Sequence, residues 1–143
     1  MLSLREYSKK RSRAEQTTRD YLARMGAKAM YVDGERVLST GDMIRIEASL
    51  YLVECGLAVS TACRLVEMAA AEFEALTVNE EHSAWIVWRP AADEVTVDEH
   101  WIVHTADEAV SLMYQHDDAF ILPIRRILRA ALDRALGKVR ADA

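Results

Sequence analysis

The chain has 143 residues, with 51% hydrophobic and 29% charged side chains and a formal net charge of −5. That length fits one compact domain or a small domain with an appended subdomain, and the apolar share is enough for a core, which excludes a disordered chain. No apolar run approaches the roughly 20 residues of a membrane span, and the N-terminus lacks the apolar stretch of a secretory signal, so a cytoplasmic protein with no membrane partner is expected.

Leu2, Leu4 and Tyr7 share one face of a short first helix, with Ser3 as its cap. Residues 10–13 are polar and predict a turn. A second helix spans 14–25, with Ala14, Thr18, Tyr21, Leu22 and Met25 inward and Gly26 just past its end. Segments 29–32 and 36–38 flank Asp33-Gly34, a strong hairpin signal because both central positions tolerate positive φ. Ser39, with Asp42 three residues on, opens a third helix, which carries Met43, Ile46, Leu50 and Val53 inward and ends at Gly56. A further helix spans 60–76, with Ala62, Leu65, Val66, Ala69 and Phe73 on one stripe.

The polar stretch 79–83 marks a boundary, giving domains 1–78 and 79–143. Beyond it the hydrophobic period becomes that of strands: 84–88, 94–97 and 101–104 read as two or three antiparallel strands. Thr105 and Glu108 predict a capping box for a helix to about Tyr114, and 119–122 reads as one more strand. Pro123 opens a last amphipathic helix to about Leu136, with Ile124, Ile127, Leu128, Ala131 and Leu132 on one face. The expected class is α+β: an N-terminal winged helix-turn-helix, then a small antiparallel sheet with two helices.

Charge is unevenly spread. Residues 1–36 hold nine Lys/Arg against five Asp/Glu, whereas between Glu67 and Asp118 Arg89 is the one basic residue against thirteen acids. A basic head on an acidic body suits local phosphate binding, because screening confines the interaction to about 8–10 Å. A helix, a turn, a second helix and a hairpin in that order suit duplex DNA: the second helix offers side chains to the major groove and the hairpin tip lies on phosphates. Lys9, Lys10, Arg11, Lys28 and Arg36 are the candidates for phosphate contacts. Arg13, Gln16 and Thr17 are the candidates for base edges.

Thr17, Arg19 and Tyr21, then Gly34, Arg36, Ser39 and Asp42, then the break at 56–60, follow one another in an order and spacing that resembles the MerR family of winged helix-turn-helix regulators. The resemblance covers residues 2–76. It implies that Arg19 contacts phosphate, that Tyr21 packs or touches the DNA backbone, and that Arg36 anchors the wing. Asp20 stands where the family has an aromatic residue, Leu38 replaces the wing tyrosine, and a mixed α/β segment takes the place of the long dimerisation helix.

The remaining chemistry-bearing residues point elsewhere or nowhere. Cys55 and Cys63 read as small buried helix residues. His100 and His104 sit four apart, but in a strand, where four residues span about 13 Å. With His82 and His116 they show no zinc-type spacing, so no metal or other cofactor is expected. Trp85 and Trp88 fall on opposite faces of their strand, one for the core and one for an interface or pocket. There is no Gly-rich phosphate loop and no nucleophile elbow, so an enzyme is not expected. The leading expectation is a sequence-specific DNA-binding transcriptional regulator, binding double-stranded DNA as a homodimer through its C-terminal half. An architectural or excisionase-like DNA-binding factor and a protein–protein adaptor are the alternatives.

Overall fold

Ser3 starts the first helix as its neighbours predict: its Oγ accepts from the Glu6 backbone N–H at 3.1 Å. The computed structural model describes residues 1–93, 95 and 97–135. In chain order the elements are β1 (Leu2–Ser3), α1 (Leu4–Lys10), α2 (Glu15–Arg24), β2 (Met30–Val32), β3 (Glu35–Leu38), α3 (Thr40–Glu54), α4 (Val59–Met68) and α5 (Ala70–Val78). β4 (Trp85–Arg89), β5 (Glu99–Val103), α6 (Ala106–Gln115), β6 (Phe120–Pro123) and α7 (Ile124–Ala135) follow. The class is α+β, with two small antiparallel sheets ordered β1-β3-β2 and β5-β4-β6. No helix among the described residues is long and apolar enough to cross a membrane.

The chain divides into two units: residues 1–68 with the described residues from Arg129 onward, and residues 69–128. The polar stretch 79–83 thus lies inside the second unit.

In the first unit, α1, α2 and α3 end in the same way. After α2, the Gly26 N–H bonds Ala23 O at 3.1 Å and the Ala27 N–H bonds Leu22 O at 3.0 Å, with Gly26 at φ +66°. After α3, Gly56 and Leu57 bond Val53 O and Leu52 O, with Gly56 at φ +107°. After α1 the same pair of bonds runs from Ser12 to Lys9 O and from Arg13 to Ser8 O, and Ser12 takes the left-handed conformation at φ 49°. These are Schellman caps, and they turn the chain sharply where a short loop must reverse it. Asp33 and Gly34, both at positive φ, close the two-residue hairpin between β2 and β3, with Val32 opposite Glu35. Leu2 and the capping Ser3 add a third strand against Leu38 and Val37, so Leu2, expected on the first helix, belongs to the sheet.

Ser39 and Asp42 form a reciprocal capping box for α3. Its buried face is Ile46, Glu47, Ala48, Ser49 and Leu52. Of the expected inward set, Ile46 is buried but Met43, Leu50 and Val53 are only half-buried, because the true face is centred on Glu47. Ser8 Oγ and Thr18 Oγ1, both fully buried, join α1 to α2 at 2.8 Å. Cys63 is buried and its thiol is pushed up by that burial. Cys55, expected to be buried, caps the C-terminus of α3 and is exposed. The single helix expected over 60–76 is two, broken at Ala69.

In the second unit β4 is central, pairing Val87 with Trp101 on β5 and with Ile121 on β6. Val87, Val103, Ala109 and Ala119 make a buried cluster, joined by Trp85, Trp101, Leu112 and Met113. Trp88 points the other way, as its alternation with Val87 requires: it stacks on Phe120 at 5.9 Å and donates to Asp98 at 3.0 Å. Of the capping box expected on α6 the Thr105 half forms: its Oγ1 accepts from the Glu108 N–H and donates to the Glu108 carboxylate at 3.0 Å.

Of the strand expected over 94–97, Glu94 and Thr96 lie outside the described residues. Val95 and Val97 are in no strand and are 92% and 82% exposed. Pro123 closes β6 and does not open the last helix, and Leu136 lies outside the described residues. On α7, Ile124, Ile127, Leu128 and Ala131 are buried and Leu132 is half-buried.

Candidate nucleic-acid interface

Glu47 explains where two of the expected contact residues go. A carboxylate with no solvent exposure must be paired, since an isolated buried charge is prohibitively unfavourable. Arg11 donates to it from Nε at 3.0 Å and from Nη2 at 3.2 Å, Arg13 donates from Nη2 at 3.3 Å, and the Tyr7 hydroxyl donates as well. The Arg13 guanidinium also lies over the Tyr7 ring, 5.7 Å from its centroid. Arg13 is 14% and Arg11 23% exposed. Arg11, expected on phosphate, and Arg13, expected on base edges, are therefore turned onto α3. They hold the turn between α1 and α2 to the helix behind it.

The outward face of α2 carries Gln16, Arg19, Asp20, Ala23 and Arg24, all exposed, with Thr17 half-buried at its edge. Tyr21 and Thr18 are buried, so Tyr21 packs inward. Burial and, less strongly, the neighbouring Cys63 push its phenol up. Gln16 Nε2 donates to Asp20 Oδ1 at 2.8 Å, and Arg19 Nη2 to Glu15 Oε2 at 3.3 Å, both i to i+4 along the surface. Such exposed pairs are worth about 0.3–0.5 kcal/mol and exchange readily for another partner.

Lys9 and Lys10, in the last turn of α1, and Lys28, in the loop after α2, are exposed and have no ion pair among the described residues. Arg24, at the end of α2 and outside the expected contact set, is in the same condition. Its signal in the sequence is its place off the core stripe. Arg36 lies on β3 opposite Tyr31. Its Nε is enclosed with no hydrogen-bond partner. An unpaired buried donor costs about 1–3 kcal/mol, which an acceptor drawing the guanidinium outward would relieve. β2 is exposed along its whole length, Met30, Tyr31 and Val32 included.

In the second unit the charge is arranged differently. Arg89 is clamped by Asp118 at 3.0 Å and Glu99 at 3.2 Å, and the Asp118 carboxyl is held below its usual range chiefly by that hydrogen bond. The histidines show a relationship that spacing did not reveal: His82 and His104 both reach Glu72, ten and 32 residues away in sequence. Burial pushes the Glu72 carboxyl up, but the hydrogen bonds and charge of the two imidazoles outweigh it and leave it below its ordinary value. His116 stacks on Trp101 at 4.9 Å.

The chain matches no protein-family model, and no curated protein matches its sequence.

Proposed function

We propose that the first unit is a winged helix-turn-helix that binds double-stranded DNA, and that the protein is a sequence-specific transcriptional regulator acting as a homodimer. The observation that carries this reading is a set of cations left without acidic partners among the described residues: Lys9, Lys10, Lys28 and Arg36. They lie at the end of α1, after α2 and on the hairpin, while Arg11 and Arg13 are paired with Glu47. Unpaired cations at the end of α1 and after α2, with another on a hairpin whose β2 strand is exposed, suit phosphates flanking a major groove. In this reading α2 enters the groove, Gln16 and Thr17 meet base edges, Arg19 exchanges Glu15 for phosphate, and Arg36 on the wing finds its missing acceptor. Arg11, Arg13 and Tyr21 act by holding the helix in place.

Two-fold operators need two heads about 34–36 Å apart. The dimer surface is proposed in the C-terminal half, where Phe120 and Ile121 are exposed on the edge strand β6. A second reading, a protein–protein adaptor, is favoured by one feature, the exposed apolar strand β2.

Selection from a random duplex pool with the full-length chain tests the proposal. A defined motif should be enriched, and Gln16→Ala or Thr17→Ala should relax preference at particular base pairs by about 1–3 kcal/mol. Recovery of no motif, or of the same motif by wild type and both variants, would contradict it.

A further inference from the structure

Glu72 sits in the first turn of α5, His82 in the connection between α5 and β4, and His104 between β5 and the Thr105 cap of α6. Three separate parts of the second unit thus bring one carboxylate and two imidazoles together. His82 Nε2 is 2.5 Å from Glu72 Oε2, and His104 Nε2 is 2.9 Å from the other oxygen, Oε1. One donor atom from each of the three residues lies within 4.8 Å of the other two. The two rings meet edge to face, with centroids 5.6 Å apart and planes at 64°.

The backbone beneath these side chains is fixed. The His82 N–H donates to Asn79 O at 3.0 Å, and its carbonyl accepts from Arg125 at 3.0 Å. The Glu72 N–H donates to Ala69 O at 3.0 Å. His104 follows directly on Val103, which is paired with Trp85 in the sheet.

We propose that Glu72, His82 and His104 bind a divalent transition-metal ion of the zinc class, with a fourth coordination position open to water or a small ligand. Two imidazole nitrogens select against Mg²⁺ and Ca²⁺, which take oxygen ligands, and suit Zn²⁺, Co²⁺ or Ni²⁺. Metal–ligand bonds of about 2.0–2.1 Å at tetrahedral angles set neighbouring donors about 3.3 Å apart. The observed nitrogen–oxygen separations reach that value if each donor moves back by less than about 1 Å. Glu72 is 16% and His82 24% exposed, whereas His104 is 52% exposed, so the ion has access from solvent on the His104 side. The rival account is a carboxylate merely hydrogen-bonded by two histidines. The site stands independently of the DNA-binding reading, since every residue in it belongs to the second unit.

The test uses the full-length chain freed of metal by a chelator and titrated with Co²⁺ and then Zn²⁺. One ion per chain should bind at micromolar concentration or tighter, and Co²⁺ should give the intense visible absorption of a tetrahedral site, abolished by Zn²⁺. Loss of a residue that merely supports a metal ligand costs 10–100-fold in affinity, so His82→Ala, His104→Ala and Glu72→Gln should each cost at least about 100-fold. His100→Ala should leave binding unchanged. Because a ligand variant can lose its fold, Zn²⁺ is also added to wild type under nuclear magnetic resonance, where the His82 and His104 ring signals should shift together at one equivalent. The proposal is overturned if Zn²⁺ binds no tighter than millimolar, if folded variants keep wild-type affinity, or if other histidine signals shift in their place.

Discussion

Arg11 and Glu47 are joined across 36 residues of sequence by two hydrogen bonds, Nε to Oε1 at 3.0 Å and Nη2 to Oε2 at 3.2 Å. This bidentate pair, with Arg13 and Tyr7 on the same carboxylate, ties the turn after α1 to the middle of α3. Removing one member of a buried ion pair leaves the rest uncompensated and typically costs about 3–5 kcal/mol. Glu47→Ala should therefore lower the unfolding free energy by about that much, measured by urea titration. A loss below about 1 kcal/mol would show that Arg11 and Arg13 reach solvent at little cost.

The same network gives stability a pH dependence. Burial raises the Tyr7 phenol above its ordinary value, and the hydrogen bond and charge of Glu47 raise it further, against the opposing effect of Arg13. Tyr21 is raised too, chiefly by burial. The unfolded chain therefore releases these protons first, near the ordinary tyrosine value of about 10. Their contribution is fully present below about pH 10 and is lost as pH rises from there toward the folded values. The urea midpoint should fall above about pH 10, and Tyr7→Phe should flatten that fall. Parallel pH profiles for the two proteins would show Tyr7 to be uncoupled from folding.

Local chemistry made the first unit legible, because its turns rest on residues that few others can replace. Gly26, Gly56 and Asp33-Gly34 all take the positive φ that their places implied, and Ser39 with Asp42 caps α3. What stayed hidden is non-local. A glutamate within a helix reads as a solvent-facing residue, so Glu47 and the inward turn of Arg11 and Arg13 could not be inferred. The break at Ala69 carries neither Gly nor Pro to mark it. The alternation of residues 94–97 mimicked a strand, yet Val95 and Val97 stand in solvent. The meeting of Glu72, His82 and His104 depends on the pairing of β4 with β5, which no spacing rule encodes.

Ser12 is where the residue and its backbone disagree. It holds the left-handed position of the cap after α1 at φ 49°, a conformation that costs a non-glycine residue about 1 kcal/mol or more. Ser12→Gly relieves that cost but loosens the unfolded chain, so a net gain of up to about 1 kcal/mol is expected in thermal or urea unfolding. Ser12→Val should be destabilising. The opposite order for these two variants would contradict the cap geometry that directs Arg13 toward Glu47.

DNA binding by the first unit is tested most directly by the salt dependence of affinity. The measurement is fluorescence anisotropy of a labelled duplex with the full-length chain, plotted as log affinity against log salt. Each phosphate contact contributes about 0.9 to the slope. The account predicts a steep slope for wild type, shallower by about one unit in Arg19→Ala and again in Arg36→Ala, with affinity reduced for every sequence tested. No measurable binding at low salt, or a slope and affinity the same in wild type and both variants, would contradict the winged-helix reading.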